Sequence, residues 1–147
     1  MKILIEHPPI WASACAVFRI HDAVIFTYGD TIYNPGDVPI SDDLIVHEET
    51  HAKQQNHNDA DASLWWGKYL RDPEFRVEQE VEAYANQYNF LCNIIQNKQK
   101  RFEVVKRMAE ILSGPVYGEC IGLEKALFLI REKSNEITTR DNRKNTR

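Results

Sequence analysis

The sequence predicts an α+β domain that is mostly helical and carries a small β-sheet or hairpin near its N-terminus. Turn-forming and β-branched residues are concentrated in the first forty positions, whereas apolar residues after Ser41 recur at helical spacing. The chain has 147 residues, of which 43% are hydrophobic and 27% are charged, as is typical of one globular domain. We therefore expect a single domain over residues 1–132 and a polar, disordered tail over residues 133–147.

Short strands are predicted in the N-terminal part. Residues 23–28 are rich in β-branched and aromatic side chains, and residues 14–20 form a second apolar run. Gly29-Asp30 predicts a turn that leads into a returning strand over residues 31–33. A break at Asn34-Pro35-Gly36 then ends the expected sheet.

Helices are predicted from Ser41 up to the tail. Ser41 is a good N-cap, and Asp42 and Asp43 suit the positive end of a helix dipole, so the first long helix is expected to reach about Asn56. Further helices end at signals such as Gly114-Pro115. Their expected ranges are 64–70, 74–96, 101–112 and 121–131.

Charge and composition exclude several classes of function. The net charge of −4 argues against nucleic-acid or anionic-membrane binding, which depends on clustered Lys and Arg. The chain lacks a signal-peptide core and any run near the ~20 apolar residues of a membrane span. Cys15, Cys92 and Cys120 have no disulfide or zinc-knuckle spacing. We expect a soluble intracellular protein with neither a nucleic-acid nor a membrane partner.

The strongest chemical signal is the string His47-Glu48-Glu49-Thr50-His51, an HExxH motif. Residues four apart share one face of a helix, so the two imidazoles can bind one metal ion. Glu48 flanks the same site and can take a proton from metal-activated water. The apolar residues before His47 indicate a partly buried helix, where unpaired polar groups are costly. The motif therefore predicts a zinc site with His47 and His51 as ligands.

A catalytic zinc site uses a third protein ligand, and one candidate is His57. The segment from His47 to His57 has the HExxHxxGxxH spacing of metzincins, but Gln54 replaces the glycine that allows a sharp turn. If the helix continues, His57 lies about 240° around the axis from His51, away from the site.

The second candidate is Glu80. With Val77 of the apolar stripe at 0°, Glu80 lies at about −60°, whereas Glu78 and Glu82 lie at about +100° and +140° and face outward. Glu80 alone points toward the core, where a lone carboxylate needs a partner such as a metal ion.

These motifs resemble those of the gluzincin zinc peptidases, particularly small single-domain ones, over residues 23–96. In one gluzincin branch the second helix reads ExxAD and its first Glu binds the metal; here the segment from Glu80 to Tyr84 fits, with Tyr84 in place of Asp. That Asp typically supports a zinc-binding histidine. The chain also resembles short phage or prophage proteins with HExxH, an EAY helix and a later Tyr-Gly, here Tyr117-Gly118.

The resemblance implies a zincin-like domain that binds Zn²⁺ through His47, His51 and Glu80 and cleaves a peptide or protein substrate, with Glu48 as the general base. It implies that residues 23–33 supply a strand edge to which the substrate pairs. It also implies a donor to the oxyanion, for which Tyr117 is the candidate. The expected location is the cytoplasm of a bacterial host, and the gene is expected to be phage-encoded.

Two alternatives stay open at this point. The chain is a non-catalytic relative, such as a virion component or binding module, that keeps a metal for stability or has lost it. A structural site of that kind is usually closed by a fourth ligand. The other alternative is a metzincin-like enzyme that uses His57 as its third ligand. The oligomeric state is not predicted.

Overall fold

The computed structural model describes all 147 residues and has six helices and one three-stranded sheet, which confirms the mostly helical α+β class. A short 3₁₀ turn covers Pro115–Tyr117. The elements in chain order are β1 (Lys2–Leu4), α1 (Trp11–Val17), β2 (Phe26–Tyr28), β3 (Thr31–Tyr33), α2 (Asp42–Gln54), α3 (Asp59–Arg71), α4 (Pro73–Cys92), α5 (Lys98–Leu112) and α6 (Leu123–Asn145).

The sheet has the order β1-β3-β2, with β1 parallel and β2 antiparallel to the central β3. Its central residue, Ile32, is 1% exposed. Gly29 makes the turn between β2 and β3 with a φ of +63°, which side chains disfavour. Its amide donates to the Gln55 side chain at the end of α2, at 2.8 Å. The hairpin is therefore tied to the helix that carries HExxH.

The structure corrects two expectations near the ends of the chain. Most of the strand expected over residues 14–20 is helical, as part of α1; its Ala14-Cys15-Ala16 core favours helix, and Ala14 is fully buried. The tail expected to be disordered continues α6 to Asn145. Ser134 and Ile137 are buried and extend the stripe of Ile130 at helical spacing. After Ile137 every residue is exposed.

The core consists of two apolar clusters. One contains buried residues of α4, α5 and α6, and the other contains Ala14 of α1, Phe18 just after α1, Phe26 of β2 and three aromatic residues of α3. Helix α2 packs against α4 and β2. Asp72 caps α4 by accepting from the amides of Glu74 and Phe75, and Pro73 fits the first turn. No helix combines the length and the apolar character needed to cross a membrane.

Candidate metal centre

Helix α2 brings His47 and His51 together on its buried face. Their side chains are separated by one turn, and their Nε2 atoms lie 3.1 Å apart. The residues are only 4% and 6% exposed. The two imidazoles therefore present the same ring nitrogen to one point inside the protein.

Helix α4 supplies Glu80 to the same point. Its Oε2 lies 3.3 Å from His47 Nε2, and its Oε1 lies 3.4 Å from His51 Nε2. Each of the three residues offers one ligand atom, and these three atoms lie within 4.8 Å of one another. The other candidate, His57, is not in this group: its Nδ1 lies 3.0 Å from Asp30 Oδ1, and its side chain is 47% exposed.

The three residues fit a zinc ion. Glu80 Oε2 is buried and has no hydrogen-bond donor, although its Oε1 accepts from the Tyr69 hydroxyl. A buried carboxylate oxygen without a donor is costly. Two imidazoles and one carboxylate form a ligand set known in catalytic zinc sites. A cation held there would satisfy Glu80 Oε2.

Glutamine side chains orient both imidazoles from outside. Gln87 Oε1 lies 3.1 Å from His47 Nδ1, and Gln54 Oε1 lies 2.9 Å from His51 Nδ1. Because an amide oxygen only accepts, each Nδ1 carries the proton and each Nε2 is left to bind a metal. The Gln87 amide in turn donates to Asp43 at 2.7 Å. Gln87 thus fixes the orientation of the His47 ring and the nitrogen that it turns toward Glu80.

Tyr84, four residues after Glu80 on α4, lies beside His47. Its ring packs edge-on against His47, with 4.5 Å between centroids, and its hydroxyl is 2.8 Å from the Tyr117 hydroxyl. Burial and the Glu80 charge raise the pKa of Tyr84. Tyr84 therefore shapes the wall beside His47 and links it to the Tyr117 hydroxyl.

We predict that Gln87→Leu weakens zinc binding about 10- to 100-fold, the usual effect of removing a partner that orients a ligating histidine. The leucine fills a similar volume but leaves His47 Nδ1 without an acceptor. Competition with a zinc-binding dye measures the affinity. Gln96→Leu, on an exposed glutamine, is the control. Equal affinities for the two variants would contradict the prediction.

Glu48 lies beside the three candidate ligands and is held through one oxygen. The Thr27 hydroxyl on β2 lies 2.8 Å from Glu48 Oε2 and 3.3 Å from the Glu48 carbonyl oxygen. Burial raises the pKa of Glu48, while the charges of His47 and His51 and the Thr27 hydrogen bond oppose the rise. This carboxyl therefore binds a proton more readily than an exposed glutamate does.

The metal-free cluster is an internal ion pair. Burial disfavours the charge on His51, but the Glu80 carboxylate outweighs burial and raises the pKa of His51 to about 9. Burial likewise opposes ionisation of Glu80, but His51 and His47 outweigh it and hold the pKa of Glu80 well below its usual range. The electrostatic attraction within the cluster is therefore strongest when His51 is protonated and Glu80 is ionised.

We predict that the metal-free protein loses stability as pH rises from about 6.5 to about 9. The pKa of His51 is higher in the folded state than its ordinary value of 6.5, so its contribution is complete below 6.5 and is lost as His51 deprotonates. The loss is at most about 3 kcal/mol. Urea unfolding of metal-free protein at pH 6 and 9.5 measures it. His51→Gln should lack this component, and an equal pH dependence in both proteins would contradict the assignment.

The candidate ligands and Glu48 line a small cavity of about 60 Å³. Most of its remaining wall is apolar, from Phe18, Phe26, Trp65, Trp66 and other residues of the segment between α1 and β2, of β2, of α3 and of the 3₁₀ turn. Trp66 Nε1 donates outward to the Thr27 carbonyl. The Trp rings therefore present mainly hydrocarbon to the cavity.

The expectation that residues 23–33 offer a free strand edge is wrong at Thr27, in the middle of β2. The Thr27 carbonyl already accepts from Trp66 Nε1 at 2.9 Å and from Gln55 Nε2 at 3.1 Å. Thr27 is 1% exposed, and a carbonyl has only two lone pairs. A substrate strand therefore has no acceptor at this position.

Four residues of the site were not predicted from the sequence: Gln87, Gln54 in its orienting role, Tyr69 and Thr27. The role of Gln87 could have been predicted from its position on the helix, because Gln87 lies within about 20° of Glu80 around the axis of α4. Thr27 carries no comparable signal, because its role depends on how β2 packs against α2. No protein-family model, curated protein or solved structure matches the chain.

Proposed function

We propose that this protein is a zinc-dependent peptidase of the gluzincin type that acts in the cytoplasm on a peptide or protein substrate. The observation that carries the proposal is the convergence of His47, His51 and Glu80 beside Glu48. Two helices supply these side chains, and the sequence spacing of the first pair is that of zinc peptidases.

The number of ligands supports a catalytic site over a structural one. The cluster has three candidate ligands, and no fourth His, Cys, Asp or Glu joins it, whereas structural zinc sites are usually closed by four protein ligands. Zinc bound there supplies Lewis acidity toward water and toward the carbonyl of the scissile bond.

Glu48 performs the proton transfers. Its Oε2 is held by Thr27, and Oε1 has no protein hydrogen bond, so Oε1 takes the proton from the attacking water. The same carboxyl then gives that proton to the leaving amine nitrogen as the C–N bond breaks. The raised pKa of Glu48 favours the first transfer, in which the carboxylate accepts the proton from water.

Tyr117 is the candidate for stabilising charge on the carbonyl oxygen. It lines the cavity, and its hydroxyl bonds that of Tyr84 at 2.8 Å. Burial and the Glu80 charge raise the pKa of Tyr117 well above its usual range, so the hydroxyl stays a hydrogen-bond donor throughout the pH range of the reaction.

The test is hydrolysis of a synthetic peptide library by zinc-loaded protein, followed by mass spectrometry. We expect new cleavage products that disappear after prolonged chelation and return with added zinc. The small cavity favours one rival, a non-catalytic protein that keeps zinc for stability. Stoichiometric zinc with no cleavage of any peptide would support that rival and overturn the proposal.

A further inference from the structure

The C-terminal end of α6 carries a cationic stripe formed by Arg140, Arg143, Lys144 and Arg147, which line one continuous surface. The first three, on the helix itself, lie within about 100° of one another around its axis. Every residue from 138 to 147 is exposed, and none of the four cations forms a salt bridge. The stripe therefore presents four unpaired positive charges to the outside of the protein.

The charges of the chain are divided unevenly between this end and the rest. Residues 138–147 hold four cations and one acid, so their net charge is +3, whereas residues 1–137 carry −7. The expectation of no nucleic-acid partner rested on the net charge of the whole chain, which conceals this separation. A basic segment set against an acidic domain is typical of chains in which that segment contacts a polyanion.

Stabilisation of the helix explains only part of the stripe. Cations in the last turn of a helix interact favourably with its dipole, and Arg143 and Lys144 lie in that turn. Arg140 lies before the last turn and Arg147 lies after the helix, so the dipole does not account for them. Glu136, the acid nearest to the stripe on this face, already pairs with a lysine at 3.1 Å. The stripe is therefore left without a counter-charge from the protein.

The composition around the stripe indicates the chemistry of its partner. Nine of the ten residues from 138 to 147 are Arg, Lys, Asn or Thr, and none is apolar. Protein interfaces are centred on apolar and aromatic anchors, and a helix that lies on a membrane buries an apolar face. Side chains of all four types instead donate hydrogen bonds to phosphate oxygens in complexes with nucleic acids. The surface therefore matches a nucleic-acid backbone better than a protein or a membrane.

We propose that the cationic stripe binds the phosphate backbone of double-stranded DNA without reading its sequence. The major groove of B-DNA, about 12 Å wide, admits an α-helix, whereas that of duplex RNA is too narrow. From Arg140 to Arg147 the stripe is about 10 Å long, which is the length of about three base pairs. None of its residues lines the cavity of the metal centre, so DNA binding does not depend on the proposed peptidase activity.

The test is fluorescence anisotropy of a short labelled DNA duplex titrated with the full chain at several salt concentrations. Four phosphate contacts predict that log K falls with log salt with a slope of about −3.6, a loss of about 100-fold between about 50 mM and 200 mM salt. A triple variant, Arg140→Gln, Arg143→Gln and Lys144→Gln, should reduce the slope to about −1. Lys125→Gln, on an exposed lysine of the same helix, is the control and should keep the wild-type slope.

The three substituted positions are exposed, so the triple variant is expected to keep the circular-dichroism spectrum of wild type. If its helix content fell, the single variants would decide, since each should lower the slope by about one. No binding at low salt, or the same slope in wild type and in the variants, would overturn the proposal. Equally tight binding to duplex RNA, to polyglutamate or to phosphatidylserine vesicles would assign the stripe to another partner and would also overturn it.

Discussion

Replacing Glu80 by alanine is expected to convert a protein that carries about one zinc ion per chain into one that retains little. The carboxylate is 2% exposed and provides the negative charge that faces both imidazoles. Its loss leaves two neutral ligands for a divalent cation, so we expect a larger effect than the 10- to 100-fold typical of a supporting residue. Elemental mass spectrometry of protein purified from zinc-supplemented cultures measures the content.

The matched control is Glu78→Ala, because Glu78 is an exposed glutamate two residues earlier on α4. It should retain the zinc of wild type. If Glu80→Ala retained full zinc instead, the three-ligand assignment would be wrong. His57→Ala would then show whether the metzincin-like alternative supplies the ligand. A wild-type protein that binds no zinc would favour the non-catalytic alternative.

Glu48→Gln is expected to reduce peptide hydrolysis by about 10²- to 10⁴-fold, the usual contribution of a general base, while zinc content stays unchanged. The amide oxygen can still accept from the Thr27 hydroxyl, so the packing of β2 on α2 is preserved. The amide cannot take a proton from water near neutral pH. The readout is kcat/KM on a peptide identified by the library experiment, with zinc content measured on the same samples.

Glu49→Gln provides the comparison within the same motif. Glu49 is the next residue on α2 but is partly exposed and does not line the cavity, so it should keep wild-type hydrolysis. Hydrolysis that persists at a normal rate in Glu48→Gln, with zinc bound, would place the base elsewhere.

The sequence predicted that α2 and α4 together form the site, because the spacing of residues on each helix pointed to the same buried cluster. Spacing put His47 and His51 on one face of α2, and phase on α4 separated Glu80 from Glu78 and Glu82. The structure places Glu80 beside both imidazoles. The same calculation puts Arg76 and Gln87 at about −100° and −80°, on the face that carries Glu80. The apolar stripe alone does not reveal that face, because polar residues beside such a stripe are usually exposed to solvent.

The N-terminal segment was harder to predict because its elements are short. The three residues of β1 pair in parallel with β3, far along the chain, so local propensity carries little information about them. Residues 14–20 contain helix-forming alanines as well as an apolar run, so the sequence is compatible with either a helix or a strand. In the structure most of these residues are helical, and α1 contacts α3. The apolar stripe of α6 was predicted only as far as residue 131. The polar residues that surround Ser134 and Ile137 led to the prediction of a disordered tail, although both residues are buried.

The deep burial of the cluster has a kinetic consequence. None of His47, Glu48, His51 and Glu80 is more than 6% exposed, so a chelator, like a substrate, reaches a bound ion only when the cavity wall opens. Release of zinc then waits for local opening of the helices or of the cavity wall, on a timescale set by the protein and not by chelator concentration. Short treatments with a chelator would leave the ion trapped, and loading is expected to be fastest while the chain folds.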